Sequence, residues 1–453
     1  MTNYTRFSVR ASLAAVGMLM RRTKIWETIE QRVRIQQKII KYTPLEKLMD
    51  AFINILAGGH GLVEINTRVR KDEMLLWAFG RGECAEQSTV SDTLNTCTPE
   101  NVTEMRQALQ EIYRAHGQGY QHDYGKQRQV LDVDLTGMPA GRQGEGVTKG
   151  YFSGRKHRRG RQLGRVLATL YDEIVVERLY SGKTQLERSL QALVKAAEEV
   201  LELDERSRQC TIVRVDGGGG RDADINWLLQ RGYSLIVKVK NWQRSLKLAR
   251  SVRTWYPDPK TPGREVGWVE EPHVYERPTR QVAVRRRGNK GEWRYRILVF
   301  ALSDEQLFCL AHEPLRRNPT LTQILLAAVH AYDLRGGGVE TSIKGSKQGL
   351  GLTKRNKRSF AAQEMLVLLA QLAYNLITWT RTLLAGSSPR LQRFGPLRIV
   401  RDIFQIEGKL RLDAQGRIIE IVLNQAHPFA LPFVRAVSSI LARDGMSLIL
   451  GQI

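Results

Sequence analysis

The sequence predicts an α/β chain: a mixed five-stranded sheet flanked by helices, preceded by a helical N-terminal domain and interrupted by a β-rich insertion. Three observations predict it. Residues 1–125 carry apolar residues at helical spacing. From Val130 the texture changes to short apolar and alternating runs, which read as strands. Residues 241–317 then gather Pro257, Pro259, Pro262, Pro272 and Pro278 among short alternating runs, before apolar helical periodicity returns at Leu321.

In the first part, residues 44–57 (PLEKLMDAFINILA) hold one apolar stripe and run into Gly58-Gly59, a helix stop. Residues 84–94, followed by a helix opened by Thr98-Pro99-Glu100 and reaching His116, fit a helix-turn-helix pair and a plain helical hairpin equally well. DNA binding is the role expected of this domain. Strands follow at 130–135 (VLDVDL), 165–171 and 174–180, the last two joined as a hairpin at Asp172-Glu173. A charged helix at 184–203, a strand at 211–215, a helix at 222–230 and a strand at 233–239 complete the series. Three strands, helix, strand, helix, strand is the order of RNase H-like domains. The expected division is therefore 1–125, a first catalytic part at 126–240, the insertion at 241–317, a second catalytic part at 318–386, and a tail at 387–453. The tail holds two strands, 409–412 and 418–423, and a final helix, and suits dimerisation or an accessory role.

Composition narrows the partner. Lys and Arg number 70 against 46 Asp and Glu, a net charge of +24, which favours a polyanion: nucleic acid or an anionic membrane. The longest apolar run, 365–384, contains Gln371, Asn375 and Arg381, so a buried helix explains it better than a membrane span. Cys84, Cys97, Cys210 and Cys309 form no CxxC pair. That argues against a disulfide framework or structural zinc and for a reducing cytoplasm.

The candidate chemistry lies in carboxylates from separate segments. Asp132 and Asp134 share one face of an apolar strand by period-two alternation. An exposed strand face is the plain alternative. Asp216 ends a second apolar strand (TIVRVD) and precedes Gly217 to Gly220. Glycines there let backbone approach a phosphate, and the spacing fits neither dinucleotide nor Walker loops. A helix starting near Val339 would stack Glu340, Lys344 and Lys347 on one face, and six Lys/Arg with no acid lie between Lys344 and Arg358. Asp134, Asp216 and Glu340 suit Mg²⁺ or Mn²⁺, two ions per site, which take oxygen ligands and bridge phosphate. Asp132 is the accessory carboxylate. The run from Lys149 to Arg165 holds seven Lys/Arg and no acid. Of these, Arg155, Lys156, Arg158, Arg159 and Arg161 are expected to border the cleft and contact phosphates.

These residues resemble the bacterial insertion-sequence transposases with an Asp-Asp-Glu (DDE) domain and a Tyr-Arg-Glu-Lys signature, Y-x2-R-x3-E-x6-K. Tyr332, Arg335, Glu340 and Lys347 fit both halves of it, with four residues rather than three between Arg335 and Glu340. Asp134-Leu135-Thr136 resembles the motif at the family's first aspartate, Asp216 the second, and residues 370–379 the helix after the glutamate. The likeness covers about 128–385. It implies DNA cleavage and strand transfer at terminal inverted repeats, phosphate contacts from Tyr332, Arg335, Lys344 and Lys347, a homodimer on paired DNA ends, and a place in the bacterial cytoplasm with the nucleoid. It also implies that an insertion tryptophan, Trp255, Trp268 or Trp293, holds a flipped base, although a core or interface role is the better reading of each taken alone. A decayed copy that only binds DNA and another RNase H-like nuclease are the competing readings.

Overall fold

The computed structural model describes residues 4–150, 152, 158–315 and 317–453. The chain forms two compact units. One comprises Gln118–Gly137 and Lys149–Ser342, the other Met1–Gly117, Met138–Thr148 and Ile343–Ile453.

The first of these units is built on strands β1 (Gln129–Pro139), β2 (Arg159–Ala168), β3 (Glu173–Ser181), β4 (Thr211–Val215) and β5 (Ser234–Lys238). The insertion adds β6 (Tyr256–Pro257), β7 (Arg264–Trp268), β8 (Arg280–Arg287) and β9 (Trp293–Ala301). They join in the spatial order β3-β2-β1-β4-β5-β9-β8-β7-β6. β1, β4 and β5 are parallel. β2 and β3 form an antiparallel hairpin whose turn places Asp172 at φ 53°, a conformation Asp tolerates better than bulkier residues. All five residues of β4 are buried, as expected of a strand with neighbours on both sides and helices on its faces.

Helix α1 (Leu186–Leu201) buries Leu186, Leu190, Leu193, Val194, Ala197 and Leu201 on one stripe and packs on β2 and β3. Helices α2 (Asp222–Gln230) and α3 (Trp242–Arg250) follow β4 and β5. Helix α4 (Leu321–Asp333) lies over the insertion strands: Leu325 and Ala328 pack with Val266, Val282, Leu298 and Phe300.

The insertion corrects the expectation of a five-stranded sheet. It is β-rich, as read, yet its strands form no separate layer. β9 pairs antiparallel with β5, from Leu298↔Lys238 to Ala301↔Leu235, so the sheet runs on across the insertion. An open β5 edge would expose unpaired backbone groups; β9 satisfies them.

In the other unit, helix Pro44–Leu56 is opened by a Thr43–Glu46 capping box with Pro44 in the first turn and is followed by Gly58 at φ 78°. Helices Gln87–Thr96 and Pro99–His116 are joined by Cys97 and Thr98. Helix Phe360–Ala385 is long and apolar enough to cross a membrane, but its apolar window is 94% buried. It packs against the helices just named, and Glu364 within it pairs with Arg106. A four-stranded sheet has the order Tyr4–Ser8, Gly408–Leu412, Ile418–Asn424, Ser447–Gly451. Here the expected division is replaced: residues 1–125 do not stand apart from the tail. Tyr4–Ser8 pairs antiparallel with Gly408–Leu412, and Ser12 Oγ donates to the Ile403 carbonyl at 2.6 Å.

Candidate active site

The register of the parallel strands builds the site. β1 and β4 pair from Gln129↔Thr211 to Val133↔Val215, with Asp132 opposite Arg214. β4 and β5 pair as far as Val215↔Val237. One residue beyond the last rungs of these two ladders stand Asp134, Asp216 and Lys238. Adjacent strands lie about 4.8 Å apart, so these three form one row at the carboxyl edge of the sheet, where α/β sheets place their sites. Asp132 and Arg214 form the row behind.

The two rows differ in environment. Asp132 is fully buried and takes a bidentate ion pair from Arg214, Nε to Oδ1 at 2.6 Å and Nη2 to Oδ2 at 2.8 Å. Asp132, the accessory carboxylate expected from the sequence, is thus already engaged by a buried cation. Arg214 Nη1 also donates to the Ala331 carbonyl at 2.9 Å, which fixes the end of α4, the helix that carries Tyr332. Asp134 and Asp216 are only half-buried. The Tyr332 hydroxyl donates to Asp216 Oδ1 at 3.0 Å, and the Lys238 ammonium pairs with the same oxygen. Gly217 and Gly220 allow this: a Cβ on Gly217 would lie 2.7 Å from Lys238 Cε, and one on Gly220 1.9 Å from the Lys238 carbonyl oxygen.

Glu340 reaches the row through Arg335. After α4 the chain makes a widened turn, Gly336–Glu340, before helix Thr341–Gly349. Gly338 kinks there, and a Cβ on it would meet Asp132 Oδ2 at 2.4 Å. Arg335, 2% exposed, contacts Asp134 Oδ2 at 3.0 Å and Glu340 Oε1 at 2.7 Å. One planar fork spans both contacts, so those two carboxylate oxygens lie within about 8 Å of each other. Glu340 is exposed.

Electrostatics separate the two aspartates of the row. Burial pushes the Asp134 carboxyl up, and Asp216 and Glu340 add to this; Arg335 opposes it. Burial also acts upward on Asp216, but Lys238 and Arg335 outweigh it and hold that carboxyl at about 2. Burial and the Asp216 charge raise the Tyr332 phenol. Arg335 is held protonated against its burial by Asp134 and the other surrounding acids.

A family model described as transposase DDE domain group 1 matches residues 6–444. The chain belongs to that family. It is thus a DDE transposase, an enzyme that cleaves DNA. No protein of curated function is matched. Among solved structures, the piggyBac transposase synaptic complex with hairpin DNA is similar, at a TM-score of 0.47 and 12% identity, over 84% of this chain and 78% of that one.

The other residues singled out in the transposase sequence have these places. Lys344 is exposed and Lys347 half-buried on helix Thr341–Gly349. Arg158 is exposed and Arg159 half-buried, while Arg155 and Lys156 lie outside the described residues. Arg161 is 1% exposed, which corrects the expectation of a surface contact there: β2 is buried along nearly its whole length and takes this side chain inside. Arg165, at the end of the same run, is sealed against Glu177 and donates to Ser342 Oγ at 2.9 Å. Each of the three insertion tryptophans singled out, Trp255, Trp268 and Trp293, has an internal partner. Trp255 and Trp293 flank Arg285, and Trp268 Nε1 donates to the Leu321 carbonyl at 3.1 Å. Sequence reasoning missed Arg214 and Lys238. Their signal was present in the register, since Arg214 precedes Asp216 by the same two residues that separate Asp132 from Asp134.

Proposed function

We propose that this transposase serves an insertion sequence: it binds the terminal inverted repeats and performs cleavage and strand transfer by two-metal-ion phosphoryl transfer at Asp134, Asp216 and Glu340. The observation that carries this reading is the end row of the sheet, where Asp134 and Asp216 lie side by side and Arg335 ties Glu340 to Asp134. The order β3-β2-β1-β4-β5 supports an RNase H-like core at its centre.

The donor chemistry suits Mg²⁺ or Mn²⁺, which favour carboxylate oxygens. Among the described residues no three acidic, His or Cys side chains already stand close enough to share one ion. Arg335 and Lys238 supply the positive charge between the carboxylates instead. Asp134, Asp216 and Glu340 would hold the ions, which when bound supply Lewis acidity at the phosphodiester. Tyr332 orients Asp216 through its hydroxyl. Arg335 Nε is buried with no hydrogen-bond partner among the described residues, and a phosphate oxygen of the substrate would satisfy it. Two copies acting on paired double-stranded DNA ends in the bacterial cytoplasm complete the proposal.

The test is cleavage of pre-bound terminal-repeat DNA with Mg²⁺, comparing Glu340→Gln with Glu313→Gln. Loss by orders of magnitude in the first alone is the expected result. Full activity of Glu340→Gln would end the assignment.

A further inference from the structure

The insertion strands carry a second concentration of charge. The registers of β7, β8 and β9 set Arg264, Arg286 and Arg294 directly opposite one another across three strands. The adjoining row is Val266, Val284 and Arg296. Residues paired in this way share a face of the sheet, so four arginines stand together. They line a hollow of about 470 Å³ that no acidic side chain lines.

Two of the four are neutralised within the chain. Arg264 pairs with Asp258 and Asp333 at 2.5 Å each, and Arg294 with Glu292 at 2.8 Å. Arg286 and Arg296 are exposed and have no acidic partner among the described residues. Like charges set opposite one another destabilise a sheet, and the fold has no need of them, since any β-forming polar residue would occupy these positions. The reverse face of the same hairpin differs. There Arg285 lies 4.2 and 4.4 Å from the ring centres of Trp255 and Trp293 and pairs with Glu265 at 2.5 Å. That face is satisfied internally; the arginine face is not. Its position also matters, because Asp333, the partner of Arg264, adjoins Tyr332, which holds Asp216.

We infer that Arg286 and Arg296, with Arg264 and Arg294 on either side of Arg286, form a second phosphodiester-binding site that grips the backbone of duplex DNA without reading bases. The identity of the polymer rests on the function proposed above. Guanidinium forks match phosphate oxygens in pairs, and the hollow lines no acceptor-bearing acid that would reject them.

The experiment is equilibrium binding of a duplex of arbitrary sequence, followed by fluorescence anisotropy over a KCl series without divalent metal. Arg286→Gln with Arg296→Gln lowers the log–log salt slope by about 1.8, two contacts at about 0.9 each. Arg286→Lys with Arg296→Lys keeps both charges and the slope, and guards against a folding artefact. An unchanged slope in the Gln pair overturns the site. If inorganic phosphate stabilises only the parent protein against heat while the slope stays unchanged, the hollow takes free phosphate, and the backbone assignment is overturned. Metal-dependent cleavage by Glu340→Gln is a separate readout: full activity there removes the active-site reading and leaves the slope result standing.

Discussion

Asp132 and Asp134 leave the same face of the same strand, yet one is sealed and the other is available. Asp132 lies on a paired rung, opposite Arg214, with neighbours on both sides. Asp134 lies one step beyond the last rung with β4, and there, while β1 runs on to Pro139, the half-buried carboxyl meets Arg335. In a parallel sheet, a difference of two residues thus separates a structural ion pair from a candidate ligand. The lesson is that chemistry is set by the position of a carboxylate relative to the end of the ladder.

The largest effect that would break this comparison lies at Asp134. Asp134→Asn should lower DNA cleavage by orders of magnitude, with thermal unfolding close to that of the parent. Cleavage at the parent rate would sink the distinction between the rows.

Asp132→Asn should do the reverse at the level of folding. It leaves Arg214 buried and uncompensated, at a cost of about 3–5 kcal/mol, measurable by urea unfolding. Replacing both partners with apolar residues, Asp132→Leu with Arg214→Met, should recover much of that loss. A single variant as stable as the parent would show that the pair is not sealed.

Gly338→Ala tests the packing of the widened turn on the rear row. Its Cβ would stand 2.4 Å from Asp132 Oδ2, so either the turn or the ion pair must shift. A cost of about 1–3 kcal/mol is expected, again read by urea unfolding. No change would mean that the turn does not rest on Asp132.

The smallest effect is titration within the front row, where the two aspartates have opposite signs. Asp216 is depressed to about 2 from 3.8, so its contribution to stability is present above pH 3.8 and is lost as pH falls towards about 2. Asp134 is raised, so its contribution is present below pH 3.8 and is lost as pH rises through its higher folded value. Carboxyl ¹³C NMR should show Asp134 protonating before Asp216 on acidification, and Lys238→Met should move the Asp216 titration upward. Coincident titrations would contradict the charge arrangement.

Much of this was legible because local pattern suffices for it. β4 and α2 lie where apolar runs and turn residues put them, and Asp134, Asp216 and Glu340 stand out as acids ending or following apolar segments. What escaped depends on which strands become neighbours. Periodicity says nothing of the partner across a ladder, so Arg214 and Lys238 gave no signal until the register was known. The likeness to the signature makes Arg335 a phosphate contact and does not place a carboxylate beside it; the three glycines bend the chain back so that it meets both Glu340 and Asp134. The insertion read as β-rich from its alternation, but only β9 beside β5 reveals that it continues the sheet. Tyr4–Ser8 passed for part of a helical region because its partner, Gly408–Leu412, is almost the whole chain away.

That last pairing has a consequence during synthesis. Residues 4–8 leave the ribosome long before the strand that pairs with them, which begins at Gly408. At about 5–20 residues per second the interval is on the order of tens of seconds, during which the opening helices exist without their closing sheet. The nascent transposase therefore holds Tyr4–Ser8 without its partner strand until Gly408–Leu412 has been made, and the sheet of this unit closes only after the residues of the other unit, which end at Ser342, have been synthesised.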